Sequence, residues 1–512
     1  MAVVALVVAA AGCNLVFGIE EGSPKPPEVA ADAADEGLPP RVSPSQCKSD
    51  VDCVPPTACH TAHCDTLLGA CTYVECETKD RACSASVCDR ATATCGPPKD
   101  YGFRVGAMRA TGTTLGCGTR PEACVAAVYP FLFIGTRDAT IAVRIDSPVA
   151  TEATRVPIKN AEFRPERLVV SGRRLWVLGA PQGTQAPYKL PVTAIDVPAD
   201  PTISALEATA TILEYPFATA EMMPAPNGRV FLVHDDPAKG LPTAIINVPL
   251  PTLGSVAVAN PYGAPGDAGP DADGAPPALP PPSPAPAVPM FRLPTVATTT
   301  SVGAASGSRL VALRGAFVST LNNAGTAEVA QSAETPLNPP FFVLAAPRFS
   351  QGPDGAALLG APINLDGATP AGPDCNCNSS ARVQWLFGGQ EGAVDVGLYA
   401  DSETYTNPVM GACHTCPAGY FAPRPIVAWL DAKRALVAAP ASEGRPLVSV
   451  RLVTRDPLPV TATKRRSVAT EGNAATDRIA LTSAGGYGYL VTSNAEGNDP
   501  NVTVFDPRCD VK

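Results

Sequence analysis

Several things are missing from this 512-residue chain, and each absence removes a class of function. Charged residues are few, at 17 %, and the balance is acidic, with a formal net charge of −10. That argues against nucleic acid and against a polybasic membrane surface. The one basic run, Lys464-Arg465-Arg466, reads as a solvated turn. Histidine is scarce: His60, His63, His234 and His414 are the whole supply. The phosphate-loop, dinucleotide-glycine, H-E-x-x-H and G-x-S-x-G patterns do not occur. Beyond the N-terminus no run of 18 apolar residues suggests a transmembrane helix. Long amphipathic helical periodicity is also missing, as are WD and kelch consensus repeats.

What is abundant is cysteine, proline and glycine. From Cys59 the cysteines fall at Cys64, Cys71, Cys76, Cys83, Cys88 and Cys95, in steps of five and seven that make a 12-residue period. Cys47 and Cys53 lead into it. An acidic residue follows alternate cysteines, as Asp65, Glu77 and Asp89. A small residue precedes the others, as Ala58, Ala70, Ala82 and Thr94, which marks a true internal repeat. So little lies between the cysteines to bury that bridges must replace a hydrophobic core. The spacing therefore predicts an oxidising compartment and a disulfide-stapled module over 47–98. Zinc is the alternative at Cys59-His60-Thr61-Ala62-His63-Cys64, but zinc pairs are usually closer.

Parity sharpens this expectation. With Cys13 set aside, 16 of the 17 cysteines remain, and nine of them, an odd number, lie in the module. At least one module cysteine must then bond outside it. The outside candidates are Cys117, Cys124, Cys375, Cys377, Cys413, Cys416 and Cys509. Cys509, close to the chain end, is expected to bridge back to Cys117, Cys124 or a module cysteine. Cys375-Asn376-Cys377 and Cys413-His414-Thr415-Cys416 read as two loop disulfides, with a zinc or redox centre as the alternative.

Residues 2–12 are an uninterrupted small-apolar run, as in a signal-peptide core, followed directly by Cys13. Ala10-Ala11-Gly12-Cys13 resembles the lipobox of bacterial lipoproteins, although Ala10 stands where Leu is usual and no basic residue precedes the run. The resemblance implies lipidation of Cys13 and, with Asn14 next, the outer membrane; plain secretion is the alternative. The Glu-, Asp-, Pro- and Ala-rich stretch that follows, completing a segment 13–46, reads as a flexible tether. Together with the cysteine module the region resembles N-terminal segments of cysteine-rich surface lipoproteins of Gram-negative bacteria.

Residues 99–512 read as mainly β. A unit of strand, tight turn, strand, loop and a strand ending near an aspartate (Asp146, Asp196, Asp506) recurs about seven times at about 40–65 residues. This resembles an irregular β-propeller of about seven blades, best expressed over 478–507; a β-sandwich array is the alternative. Residues 261–289 are a Pro/Gly/Asp insertion whose Asp267, Asp271 and Asp273 lack the rest of a calcium loop. His234, followed by Asp235 and Asp236, reads as structural, because no nucleophile accompanies it. No catalytic, cofactor or metal residue is assigned. The expected role is binding or scaffolding at the cell envelope, with a protein or glycan ligand and a lipid-anchored membrane association. An extracytoplasmic polysaccharide hydrolase or lyase and a metal-handling protein using the loop cysteines are the alternatives.

Overall fold

The computed structural model describes the chain from Cys47 to Cys509, apart from a set of connecting segments; over 291–425 it describes backbone strands alone. Gln46–Lys512 form one compact unit, in which the cysteine module and the β region lie together. Cys13, the tether, the insertion 261–289, Cys375, Cys377, Cys413, Cys416, Asp146, Asp235 and Asp236 lie outside the described residues.

The β region is a succession of antiparallel meanders, and its strands follow from the apolar runs. In the first sheet, Val125–Val128, Phe131–Gly135, Thr140–Arg144 and Thr154–Val156 pair in chain order. Side chains alternate across a strand. Phe131 and Phe133 therefore enter a core shared with Leu168, Leu175, Val177 and Ile195 of the second sheet. Leu132 and Ile134 enter another, shared with Tyr489, Val491, Val502 and Val504 of the last sheet. A sheet buried on both faces has no polar side to show, so its strands read as continuous apolar runs and not as alternating ones.

The second sheet is built on Pro165–Ser171, Arg174–Gly179, Tyr188–Asp196 and Leu206–Tyr215. It packs through Trp176, Leu178, Leu190 and Tyr215 on Met222, Val230, Leu232 and Ile246 of the third. The third sheet is Glu221–Ala225, Arg229–His234, Ala244–Asn247 and Phe291–Arg292. Two sheets follow over 300–396, described by backbone pairing alone. The penultimate sheet, around Arg434–Pro440 and Leu447–Thr454, shares Leu436, Ala438, Val448 and Val450 with Ile479, Leu481 and Leu490 of the last.

The last sheet closes the ring. Arg478–Ala484, Tyr487–Ser493 and Asn501–Phe505 are completed by Arg104–Arg109 from the other end of the β region, Val502 standing opposite Met108. Innermost strands contact their successors in order, and Arg478–Ala484 returns to Val125–Val128. This is a β-propeller, not a sandwich array, because the four described cores of the β region lie between consecutive sheets and one strand from each end of that region shares a sheet. Seven sheets follow one another around the ring, five of them described to the side chain.

Candidate functional site

The innermost strands all run the same way, which gives the propeller two unlike faces. At one face they end in hairpins, such as Gly485-Gly486 and the turn after Val128. At the other they begin, next to loops arriving from the preceding sheet.

The cysteine module is fastened at the hairpin face. Four bridges are internal: Cys47–Cys64, Cys53–Cys71, Cys59–Cys88 and Cys76–Cys95. Cys64 and Cys71 stand opposite one another on the hairpin His60–Asp65/Ala70–Glu75, yet each bonds backwards to an earlier cysteine. Cys88 and Cys95 repeat the device on the pair Cys88–Asp89/Thr94–Cys95. The sulfurs at 59–64 are thereby oxidised, so the zinc alternative there is replaced by disulfides. Cys83 is the one module cysteine these four bridges leave over, and it bonds Cys509 across 426 residues. Cys117 and Cys124, both considered as partners for Cys509, bond one another. So many disulfides place the described chain in an oxidising, extracytoplasmic compartment. Among the described residues no helix is long and apolar enough to cross a membrane.

Around Cys509 the attachment is polar as well as covalent. Asp506 ends the closing strand and is 1 % exposed. Its carboxylate accepts from Arg508 Nε at 2.8 Å and Nη2 at 2.7 Å, from the Arg508 backbone N–H at 3.0 Å, and from the Tyr101 hydroxyl at 3.2 Å. These charge-assisted bonds hold the Arg508 guanidinium above its usual range against the opposing effect of burial. The Tyr101 hydroxyl is pushed up by burial, then by the neighbouring Tyr487 and Asp506. Ser84–Ala85 of the module pairs with Lys99–Asp100, and Tyr101 N–H donates to the Cys83 carbonyl at 2.8 Å. The sequence marked Asp196 and Asp506 as strand ends but not their purpose. Each takes a bidentate arginine on this face, Asp196 from Arg174 at 2.6 and 3.1 Å.

Within the module His63 is held between two carboxylates, Nε2 at 3.0 Å from Glu77 and Nδ1 at 3.4 Å from Asp50. Burial disfavours the imidazolium, but hydrogen bonding and charge from Glu77, then Asp50, outweigh it and leave the pKa raised. A raised folded-state pKa gives stability that is full below the ordinary histidine range and is lost as pH rises through the raised value. The module of the wild type should therefore lose stability on going from pH 5.5 to about pH 8. His63→Gln should flatten that dependence, read by hydrogen exchange at Ala62 and Tyr73. An unchanged slope in the variant would remove His63 as its source.

The opposite face carries different chemistry. Arg167 on the innermost strand of the second sheet donates from Nη1 to Glu221 Oε2 on that of the third, at 3.2 Å. Arg164 and Glu166 lie beside them, 3.7 Å apart. Glu221 is registered against Val233, the neighbour of His234. His234 is buried and stacks on Phe217, with ring centroids 3.8 Å apart and planes within 4°. Its Nδ1 lies 3.2 Å from the Thr219 carbonyl and so carries the proton. Phe217 remains partly exposed and meets Tyr215 edge-on at 5.6 Å. The loop bearing Cys117–Cys124 adjoins this face, its short turn Pro121–Cys124 resting on the innermost strands of the second and last sheets. Of this group the sequence singled out only His234 and the two cysteines. Arg167, Glu221 and Phe217 carry no local motif, because the chain folds them together from two sheets.

No protein-family model matches the chain, and neither does any curated protein. Solved structures with similar backbones include Kuenenia stuttgartiensis hydrazine synthase, at 11 % identity over 78 % of this chain and 99 % of that one, with a TM-score of 0.41. A putative 6-phosphogluconolactonase from Bacteroides uniformis is 11 % identical over 73 % and 89 %, with a TM-score of 0.37. The β-propeller domain of the Trilobed protease from Pyrococcus furiosus is 7 % identical over 66 % and 94 %, with a TM-score of 0.30. The chain's own topology is the firmer description: a disulfide-fastened β-propeller closed by its N-terminal strand.

Proposed function

We propose that this is a lipid-anchored cell-envelope protein whose propeller serves binding or scaffolding, not catalysis. The observation that carries the reading is the Cys83–Cys509 bridge. It fastens the N-terminal module to the hairpin face and leaves the opposite face to meet a partner. A propeller is suited to that use, since its rigid sheets position loops at the mouths, although the fold alone names no ligand. Lipid anchoring is supported by the sequence Ala10-Ala11-Gly12-Cys13 and by the acidic, Pro-rich stretch between it and the module. Cys13 as an acylated residue also leaves an even number of cysteines for pairing. The outer membrane is the proposed destination, from Asn14 after that cysteine.

Metabolic labelling with an alkyne fatty acid in a Gram-negative host tests the anchor. The wild type should be labelled and sediment with outer membranes. Cys13→Ser should be unlabelled and leave the membrane fraction. A wild-type protein without label would refute the anchor.

A further inference from the structure

We propose that the cysteine module edits its own disulfides: its odd cysteine is the exchanging thiol, Cys83 is where that thiol comes to rest, and Cys509 seals it. This holds whatever the propeller binds. The pairing makes editing necessary. Neighbouring module cysteines are 5–7 residues apart. None of the four internal bridges joins neighbours; they span 17, 18, 29 and 19 residues. Each also crosses the next in chain order, and Cys76–Cys95 crosses Cys83–Cys509. Loop closure favours the shorter loops, and the polar spacers give a reduced module no core to bring distant pairs together first. Early oxidation therefore makes neighbour bridges that must later be undone.

Parity supplies the means. Nine cysteines make at most four bridges among themselves, so one module thiol remains until Cys509 takes it. Its thiolate attacks a sulfur of a bridge; one S–S bond forms, one breaks, and the released cysteine becomes the next thiolate. No electrons leave the module, so no outside reductant is consumed. The folded module keeps these steps short. The sulfurs of Cys47, Cys53 and Cys64 lie within 4.8 Å of one another, and so do those of Cys59, Cys76 and Cys95. Each group draws on two bridges, so a thiol freed from one stands beside the other. Cys83 belongs to neither group. Each internal bridge also includes a buried cysteine, Cys47, Cys53, Cys59 or Cys76, whereas Cys83 and Cys509 are both partly exposed. Native pairing thus shields four bridges and leaves the odd thiol at Cys83, open to an oxidant. The last step is an oxidation. Cys83 and Cys509 give two protons and two electrons to a disulfide-bearing oxidant, which is left as a dithiol.

The test uses the full chain carrying Cys13→Ser, which leaves 16 cysteines. Adding Cys509→Ser makes the count odd, and adding Cys83→Ser as well makes it even again. Each chain is reduced, oxidised fully with diamide in denaturant, freed of both reagents and incubated at about pH 8 without added thiol. Remaining thiols are alkylated and the bridges mapped by mass spectrometry. The Cys509→Ser chain should reach Cys47–Cys64, Cys53–Cys71, Cys59–Cys88 and Cys76–Cys95 at least about tenfold faster than the chain lacking both cysteines, with its alkylated thiol at Cys83. Reduced glutathione should bring the second chain to the same bridges, since an external thiol replaces the missing one. Equal rates without glutathione would overturn the proposal, as would native bridges in the doubly substituted chain directly after oxidation. An alkylated thiol at any other module cysteine of the Cys509→Ser chain would overturn it too, whether or not the doubly substituted chain folds.

Discussion

Removing the bridge between the cysteine module and the C-terminal segment, as Cys83→Ser with Cys509→Ser, is expected to lower stability by about 3–5 kcal/mol. The reason lies mainly in the unfolded chain. Cys83 and Cys509 are 426 residues apart, whereas the five other described bridges span 29 residues or fewer. Loop-closure entropy grows with the logarithm of loop length, so this bridge restrains the unfolded ensemble most. The short Cys117–Cys124 loop should be worth about 2 kcal/mol on the same reasoning. In the folded state the hydrogen bonds between Arg104–Arg109 and Asn501–Phe505 still close the ring, and Asp506 still holds Arg508 and Tyr101. The double variant should therefore fold, with its ends opening more often. Urea unfolding without reductant measures the loss, and hydrogen exchange should accelerate first along Asn501–Phe505. An unfolding midpoint equal to that of the wild type would show that the bridge contributes nothing.

Trp176→Ala should cost about 3–5 kcal/mol, the range for deleting a large buried aromatic side chain. Trp176 is 0 % exposed and sits in the core between the second and third sheets. Its indole N–H donates to the Gly228 carbonyl at 2.9 Å, across from one sheet to the turn of the next. Gly228 adopts φ +69°, a conformation that favours glycine, which lets the turn present that carbonyl. Two contributions can then be separated. Trp176→Phe keeps most of the apolar contact and loses the hydrogen bond, for about 1–2 kcal/mol. The remainder of the alanine effect is cavity. Denaturant midpoints at constant slope measure both. Equal losses for Phe and Ala would assign the whole effect to the hydrogen bond and refute the cavity account.

Legibility differed with the range of the interaction. The strands at 125–135, 168–178 and 478–505 were readable because burial on both faces leaves unbroken apolar runs. The cysteine lattice was readable as covalent scaffolding, since its polar spacers cannot form a core. Its pairing was not. Cys64 and Cys71 are hairpin neighbours that bond elsewhere, and nothing in a regular spacing says which earlier cysteine each one meets. The aspartates at strand ends were visible as punctuation, but their arginine partners were found only in space. The Arg167–Glu221 pair was not visible at all, because the two residues are separated by most of a blade in sequence.

The sequence by itself determined the compartment, the β class, the recurrence of short strands and the need for a covalent tie out of the module. These rest on composition, local periodicity and parity, each a property of short stretches or of simple counting. Only the tertiary structure decided that Cys83 and Cys509 are the tie, that the module sits on the hairpin face, and that Arg167, Glu221 and Phe217 share the other. Ring closure makes those choices. It brings Arg104–Arg109 beside Asn501–Phe505 and thereby fixes which face holds Cys83 and Cys509. A contact between distant segments depends on how every intervening sheet is stacked, and no local pattern of residues encodes that sum.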